Sequence, residues 1–387
     1  DHVGSGRIVG VGKRIGLTAA AVAVGVMLVG GGALAWKRPW ESGASSSAAR
    51  PTASAGRSSG SAPSPDATSS AAAEPAKPTW LSGASSDESA DGRYGAWRGE
   101  PIQIGGTWDN GDDEQVEMHS ICPDGSWARW NKPLDVAIGA IDVTRGESWE
   151  AAARGKYTAR WTKNLTKIKQ CWGQRDPSML YIRFAHEMNI AGSDWRVRGG
   201  EEANFVEAIT LYSNLRYKIL PTAKIALCPN DGTDAGLNGL DIRKLWPGTD
   251  AQGRPVADVY AVDSYNMNPH VITQAAFVKK INDQYRNGMP LGIEKHRQFA
   301  AKVGAPFAIG EWSNNGNRGN EGGGGESALY VRQFYTWAKS HAGDPTAPKP
   351  GQLLYEVHFN LWGEYAFWPK TMQPKTASAY RALTWGS

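Results

Sequence analysis

The stretch "YIRFAHEMN", residues 181–189, begins as an apolar run and ends in polar side chains. Its first half is rich in the aromatic and β-branched residues that strands favour. His186, Glu187 and Asn189 follow at the point where such a strand should end. A carboxylate at the end of an apolar run must pair, reach water or take part in chemistry. Whether other strands end in the same way decides between these roles.

The same pattern recurs along the chain after residue 92, with amphipathic helical stretches between the apolar runs. Continuous apolar strands that alternate with helices predict a parallel sheet covered on its outer face. Eight such strands close into a (β/α)8 barrel, the TIM barrel of the α/β class. The predicted strands span 94–99, 102–108, 134–142, 179–187, 224–230, 259–265, 306–312 and 353–362.

The N-terminal part of the chain differs from the barrel in composition. Residues 15–36 carry no charge and are flanked by basic residues, which predicts a transmembrane anchor with a cytoplasmic tail at 1–14. A signal peptide cut after "ALA" at 33–35 is the alternative. Residues 37–79 are rich in Ser, Ala and Pro, which predicts a disordered linker. Either way, we expect the barrel domain at 80–387 to lie outside the cytoplasm, membrane-anchored or secreted.

Composition excludes several classes of function. The 387 residues carry a net charge of +4 from 42 basic and 38 acidic residues, without the dense basic stripe of a nucleic-acid-binding protein. The sequence has no HExxH motif, no Cys/His cluster and, within residues 80–387, no GxSxG motif, so we expect no metal, no cofactor and no serine nucleophile. Its 17 tryptophans supply flat apolar faces that pack in cores or stack on sugar rings. We expect a monomer that binds a polysaccharide.

Two carboxylates stand at the ends of predicted strands. Catalytic groups of (β/α)8 barrels lie at the C-terminal ends of strands, and Glu187 closes the fourth predicted strand while Glu311 closes the seventh. Such a pair can cleave a glycosidic bond, and a retaining enzyme requires the two carboxyl groups to lie about 5–5.5 Å apart. Arg183 precedes Glu187 by an even interval, which predicts that both point into the barrel, where Arg183 would keep Glu311 ionised.

Three stretches resemble one known family. "YIRFAHEMN", "PFAIGEWSNN" and "YAVDSYN" are similar to strands of glycoside hydrolase family 26, the β-mannanase family of retaining (β/α)8 glycosidases, over roughly residues 90–385. The resemblance implies a retaining endo-β-glycanase with Glu187 as general acid/base and Glu311 as nucleophile. It also implies that Tyr265 holds the nucleophile by a hydrogen bond. Mannanases have a Trp-rich stretch soon after the acid/base, where this chain offers only Trp195.

The wider substrate-binding set combines residues that the resemblance implies with residues at predicted strand ends. Trp312 and Trp362 would be platforms near the cleaved sugar, and His186 would bind sugar beside the acid. His358 and Asn230 are equally compatible with structural roles. The full set is His186, Arg183, Asn189, Tyr265, Trp108, Trp195, Trp312, Trp362, His358 and Asn230.

Two other functions share these residues. A transglycosylase that remodels a cell-surface polysaccharide would use the same two carboxylates, and an inactive barrel could still bind carbohydrate. The glycine-rich run at 314–327 lacks the Gly-Lys-Ser/Thr ending of a phosphate-binding loop, which favours a flexible loop over the cleft.

Three cysteines give one structural prediction. Cys228 lies inside the fifth predicted strand, where it would pack as a small apolar residue. Cys122 and Cys171 lie outside the predicted strands and close in chain order. Since pairs of cysteines bond in an oxidising compartment, we predict a Cys122–Cys171 disulfide.

Overall fold

Eight parallel strands close into a barrel in chain order, and β1 pairs with β8 to complete it. The computed structural model describes residues 78–109, 118–232, 239–318 and 322–387. The predicted (β/α)8 barrel is therefore confirmed. The strands are β1 (Leu81–Ser85), β2 (Ile104–Asp109), β3 (Leu134–Ile138), β4 (Leu180–Phe184), β5 (Lys224–Leu227), β6 (Val259–Asn266), β7 (Phe307–Asn314) and β8 (Leu353–Phe359).

Helices cover the outside of the barrel. In the longer of two helices after β3, buried side chains recur at intervals of three and four residues, the spacing of one helix face. The helices are α1 (Asp87–Ala90), α2 (Arg93–Arg98), α3 (Trp149–Ala153), α4 (Thr158–Trp172), α5 (Glu202–Ile219), α6 (Gln274–Ile281), α7 (Ile293–Lys302), α8 (Ala328–Ser340), α9 (Trp362–Tyr365) and α10 (Pro374–Arg381). Short 3-10 turns lie at Val143–Arg145, Pro177–Met179 and Ile242–Leu245.

The first predicted strand was wrong. Residues 94–99 lie mostly in α2, and the true β1 comes earlier in the chain, in the small-residue sequence "LSGAS". Its small side chains follow from close packing against β2, because a Cβ on Gly83 would lie 1.9 Å from the carbonyl oxygen of Ile104. A strand without large apolar residues gives almost no hydrophobic signal. The other seven predicted strands overlap β2–β8.

The predicted disulfide is confirmed. Cys122 and Cys171 are bonded with a Cα–Cα distance of 4.6 Å, and Cys228 is buried and free. Cys171 lies in α4, whereas Cys122 lies in the segment that follows β2. Asp109, the last residue of β2, accepts a hydrogen bond from the backbone N–H of Ser120 at 3.1 Å. The disulfide fastens the segment after β2 to the helical layer, and this hydrogen bond fastens it to the end of β2.

The predicted tail at 1–14, the anchor or signal peptide at 15–36 and all but the end of the linker at 37–79 lie outside the described residues. Among the residues that are described, no helix has the length and hydrophobicity needed to cross a membrane. The backbone N–H of Thr79 donates to the carbonyl of Gly386 at 2.8 Å, so the chain enters the barrel beside its C-terminus.

Replacing Cys122 and Cys171 together by serine should lower the free energy of unfolding by roughly 3–4 kcal/mol, because the bond closes a long loop in the unfolded chain. Urea unfolding followed by tryptophan fluorescence measures this difference. Adding a reductant should destabilise the wild type to a similar extent and leave the double variant unchanged. Equal stability of the oxidised and reduced wild type would contradict the prediction.

Candidate active site

A buried arginine lies at the centre of the barrel. Alternation along β4 turns Arg183 inward, and its side chain is completely buried. Its Nε donates to Asp135 Oδ1 at 2.5 Å, and its Nη1 donates to Glu311 Oε1 at 2.8 Å. Nη1 also lies 3.0 Å from Asp263 Oδ2. The predicted pairing of Arg183 with Glu311 is therefore present, but Arg183 has no exposed surface with which to bind substrate, so that part of its prediction was wrong.

A β-bulge aims the second catalytic candidate into the barrel. Between β6 and β7, Val262 pairs with Ile309 and Asp263 pairs with Glu311, so Gly310 is an extra residue in β7. Strict alternation along β7 would have turned Glu311 toward the helices. The bulge turns its carboxylate inward instead, as bulges near active sites commonly do.

The same bulge explains why Trp312 is not a sugar platform. Its side chain points outward, is completely buried and stacks on Phe334 with ring centroids 4.1 Å apart. Its indole Nε1 donates to Glu356 Oε2 at 2.5 Å. The predicted role of Trp312 in sugar binding was wrong, because the residue packs between the barrel and its helices.

Three donors hold the carboxylate of Glu311. Tyr265 Oη donates to Oε2 at 2.6 Å, the bond that the family resemblance implied, and Trp108 Nε1 donates to Oε1 at 2.7 Å. Arg183 supplies the third bond. Burial is the largest single influence and would raise the pKa of Glu311, but several lowering influences, including the positive charge of Arg183 and the hydrogen bonds from Tyr265 and Arg183, together hold that pKa below its ordinary value. Trp108 contacts the carboxylate directly, a role that the sequence did not suggest.

Glu187 reaches the same space by a different local route. β4 ends at Phe184, and both Ala185 and Glu187 adopt left-handed backbone conformations with φ of 54° and 51°. Glu187 points into the barrel, as expected. The two left-handed residues turn it there, and the even interval from Arg183 does not explain its direction. Such conformations are costly for residues other than glycine and often occur at functional sites.

The environment of Glu187 favours its protonated form. The carboxyl group is almost completely buried, and Asn230 Nδ2 donates to its Oε1 at 2.7 Å. Burial raises the pKa of Glu187 to about 8, with the negative charge of Glu311 as the second cause. Asn230 opposes this rise because its N–H favours the carboxylate. Asn230 therefore contacts the carboxyl group of Glu187, the candidate acid, directly.

Asn189 supports Asn230 and is fully buried. Its Oδ1 accepts from the backbone N–H of Asn230 at 2.7 Å. Its Nδ2 donates to the carbonyl of Asn230 at 3.0 Å and to that of Gly232 at 2.8 Å. Its carboxamide is therefore used within the protein, and the predicted contact of Asn189 with substrate was wrong.

His186 and Trp195 form a pair beside the acid. Their ring centroids lie 5.3 Å apart, and Trp195 Nε1 donates to the backbone carbonyl of His186 at 2.6 Å. Trp195 is almost completely buried and supports the turn that carries Glu187, and its place in the substrate-binding set stays a prediction. Burial lowers the pKa of His186 to about 3, which keeps the imidazole neutral. Its Nδ1 is buried and has no hydrogen-bond partner among the described residues.

His358 lies outside the cleft, so the structural reading of this residue is correct and its place in the substrate-binding set was wrong. β8 turns His358 toward the helices, where its Nδ1 lies 2.9 Å from Tyr94 Oη and its Nε2 lies 3.2 Å from Ser313 Oγ. Its ring stacks on Phe367 with centroids 4.1 Å apart. The alternation of β8 accounts for this placement, because its neighbours Val357 and Phe359 face the interior.

An aromatic wall borders the two carboxylates. We use this name for the ring cluster of Trp108, Tyr265, Phe359, Trp362 and Tyr365. Phe359 lies 5.2 Å from Trp108 and 5.1 Å from Trp362 between ring centroids. Trp362, predicted as a platform, is only partly buried and belongs to this wall.

One oxygen from each of Glu187, Asp263 and Glu311 lies within 4.8 Å of the others. Within the described ranges, this is the only group of acidic, Cys or His side chains close enough together to hold a metal ion. Arg183 already supplies a positive charge to two of these carboxylates. The geometry therefore favours a pair of catalytic carboxylates beside an internal cation.

Two searches, one against protein-family models and one against curated proteins, gave no match. Solved structures do match. A modular endo-β-1,4-mannanase from Cellulomonas fimi, of glycoside hydrolase family 26, has a TM-score of 0.51 at 14% identity, covering 78% of this chain and 70% of that one. An endo-1,4-β-D-mannanase from Thermotoga petrophila has a TM-score of 0.50 at 11% identity, covering 78% of this chain and 98% of that one. The fold is that of these mannanases.

Sequence reasoning assigned no role to two interior carboxylates of this barrel, Asp135 and Asp263. Asp135 binds Arg183, and Cys228 Sγ donates to Asp263 Oδ1 at 3.1 Å. Burial and the charge of Glu311 raise the pKa of Asp263 well above its ordinary value. A carboxylate within the apolar strand "LDVAI" was the available signal for Asp135, because a buried charge requires a partner.

Gly310→Ala should destabilise the barrel by about 1–3 kcal/mol and loosen Arg183 from Glu311. A Cβ at this position would lie 2.7 Å from Asp263 Oδ1 and 3.1 Å from Arg183 Cδ. Chemical unfolding measures the loss. Gly363→Ala is the matched control, since an added Cβ there meets nothing nearer than Met372 Cε at 3.7 Å. Equal stability of the two variants would contradict the expectation.

Proposed function

We propose that the protein is a retaining endo-β-glycanase that hydrolyses a polysaccharide outside the cytoplasm. The observation that carries the proposal is that two neighbouring carboxyl groups lie in opposite environments, one paired with Arg183 and one buried without a cation. Arg183 keeps Glu311 ionised, whereas burial keeps Glu187 protonated near neutral pH. Their oxygens lie within 4.8 Å, which supports the short separation of retaining glycosidases rather than the wider gap that an inverting enzyme needs for water.

The first step forms a covalent intermediate. A carboxylate oxygen of Glu311 attacks the anomeric carbon while the bond to the leaving oxygen breaks, and Glu187 gives its proton to that oxygen. The product is a glycosyl ester on Glu311 and a free hydroxyl on the departing chain. Tyr265, Trp108 and Arg183 orient the carboxylate for this attack.

The second step regenerates the enzyme. Glu187, now a carboxylate, takes a proton from water, and the hydroxide attacks the anomeric carbon and displaces Glu311. Ester formation removes the negative charge of Glu311, which is one of the causes that raise the pKa of Glu187. The pKa of Glu187 therefore falls between the two steps, as a group that acts first as acid and then as base requires.

The aromatic wall supports a sugar polymer as substrate. Apolar ring faces beside two carboxylates suit stacking on pyranose rings, and Trp108 and Tyr265 contact Glu311 directly. The solved structures with the same fold include endo-β-1,4-mannanases, so β-mannan is the first substrate to test. A transglycosylase would use the same residues. An inactive binding barrel is disfavoured, because both carboxyl groups have hydrogen-bond donors that orient them.

The disulfide supports a location outside the cytoplasm, since such bonds persist in oxidising compartments. Residues 15–36 would anchor the barrel to a membrane or direct its secretion. The test of function is a reducing-end assay on β-mannan, mixed-linkage glucan, xylan and cell-surface polymer, with Glu311→Gln as the inactive control. New reducing ends from the wild type alone support hydrolysis. Longer products without new ends indicate transglycosylation, and binding without any product indicates an inactive barrel.

Glu187→Ala should retain activity on aryl glycosides whose leaving group needs no proton, and azide should restore turnover by attacking the intermediate. Glu311→Ala should lose turnover on the same substrates by several orders of magnitude, because the nucleophile is gone. Steady-state kinetics on both substrate classes measures the contrast. An equal loss in both variants that azide does not relieve would assign Glu187 a structural role.

The pH dependence should follow the two carboxyl groups. kcat/KM should fall as the pH rises through about 8, because Glu187 then loses the proton that the leaving group needs. Activity should persist on the acid side to below pH 4.5, because the pKa of Glu311 is held under this ordinary value. Asn230→Ala should move the alkaline limb upward, since the N–H of Asn230 stabilises the carboxylate form. An alkaline limb that stays in place in this variant would contradict the assignment to Glu187.

A further inference from the structure

Asp135 is a buried carboxylate with no exposed surface and two strong partners. It is the second residue of β3 and turns into the barrel below the carboxyl groups of the cleft. Its Oδ1 accepts from Arg183 Nε at 2.5 Å, and its Oδ2 accepts from Tyr355 Oη at 2.8 Å. Both carboxylate oxygens are therefore engaged by groups that lie on opposite sides of the barrel interior.

The guanidinium of Arg183 transmits this contact to the cleft. Because the group is planar and rigid, a bond that fixes Nε also fixes where Nη1 can lie. Nη1 is the atom that donates to Glu311 Oε1 at 2.8 Å. We propose that Asp135 is a positioning residue for the nucleophile, which it orients through Arg183 without touching substrate. The proposal rests on the proposed function, in which Glu311 is the nucleophile.

Asp263 makes this positioning necessary. Nη1 of Arg183 lies 3.2 and 3.0 Å from the two oxygens of Asp263, so a second carboxylate competes with Glu311 for the same N–H groups. Asp135 holds the Nε edge on the side of β3, which keeps Nη1 between Asp263 and Glu311. Without that bond, the guanidinium is free to turn toward Asp263. Nη2 is buried and has no hydrogen-bond partner in the described part of the chain, so it offers no alternative anchor.

Asp135 influences the pKa of Glu311 in two opposite ways, through its own negative charge and through the orientation that it gives to Arg183. Loss of its negative charge alone lowers the pKa of Glu311, whereas loss of the Arg183 contact raises it. Asparagine keeps an oxygen that can accept from Nε, and alanine keeps none. The difference in the pKa of Glu311 between Asp135→Asn and Asp135→Ala therefore measures the effect of positioning alone. The groups that face Glu311 and stay constant in both are Arg183, Glu187, His186, Asp263, Tyr265 and Trp108.

The experiment measures the pKa of Glu311 directly. The full chain is labelled with carboxyl-13C glutamate and titrated by NMR, and the signal of Glu311 is assigned by its loss in Glu311→Gln. Asp135→Ala should raise the pKa of Glu311 by about one unit or more, the size of a lost ion-pair contact. Asp135→Asn should leave it unchanged or lower it. The acid limb of the pH profile of kcat/KM should move by the same amounts.

Val259→Ala is the matched control, because Val259 is a buried interior residue without charge. It should lower the melting temperature yet leave the pKa of Glu311 in place. If Asp135→Ala and Asp135→Asn shift that pKa equally, or neither shifts it, the positioning role is overturned. The NMR titration needs no substrate, so a wild type without activity would refute the proposed function and leave this test intact.

Discussion

One buried cation organises the centre of this barrel. Arg183 is enclosed by three carboxylates, each on a different strand, and none of the four side chains is exposed. Removing an ion from water costs several kcal/mol even after relaxation, so such a group persists only where its partners are fixed in place. Three carboxylates share this one positive charge. Glu311 is held ionised, whereas burial and the charge of Glu311 raise the pKa of Asp263 well above its ordinary value and favour its protonated form.

The neighbours of each carboxyl group, rather than burial, distinguish the two catalytic candidates. Glu187 and Glu311 are both buried, and burial pushes the pKa of each upward. Glu311 has Arg183 within hydrogen-bond distance and becomes the stronger acid, while Glu187 has only the neutral amide of Asn230 and remains protonated. Two identical side chains thus acquire opposite roles, the arrangement that acid-assisted nucleophilic displacement requires.

Much of this architecture could be predicted from the sequence, because it depends on patterns of hydrophobicity. The closed barrel follows from strand periodicity, the convergence of Glu187 and Glu311 follows from their positions at strand ends, and the Cys122–Cys171 bond follows from chain order. β1 was missed because strands built of small residues carry no such pattern. The remaining errors come from local irregularities of the backbone and from tertiary hydrogen bonds.

At Trp312 and Glu187, alternation along the strand did not give the side-chain direction. The bulge at Gly310 reverses the facing of Trp312, and the left-handed turn that contains Glu187 breaks the count that begins at Arg183. Asn189 was misassigned because its partners are backbone groups of another loop, which no local pattern reveals. Tertiary hydrogen bonds of this kind are visible only once the strands are paired.

The bulge has an evolutionary consequence. Deleting Gly310 would join Ile309 directly to Glu311, opposite the consecutive residues Val262 and Asp263. Since strand facing has a period of two, Glu311 would still point into the barrel and Trp312 would still point toward the helices. A second deletion in this part of β7 would reverse both directions and place an indole where the carboxylate now lies. Descendants of this barrel could therefore lose one residue here and keep the inward carboxylate, whereas the loss of another would remove it from the cleft.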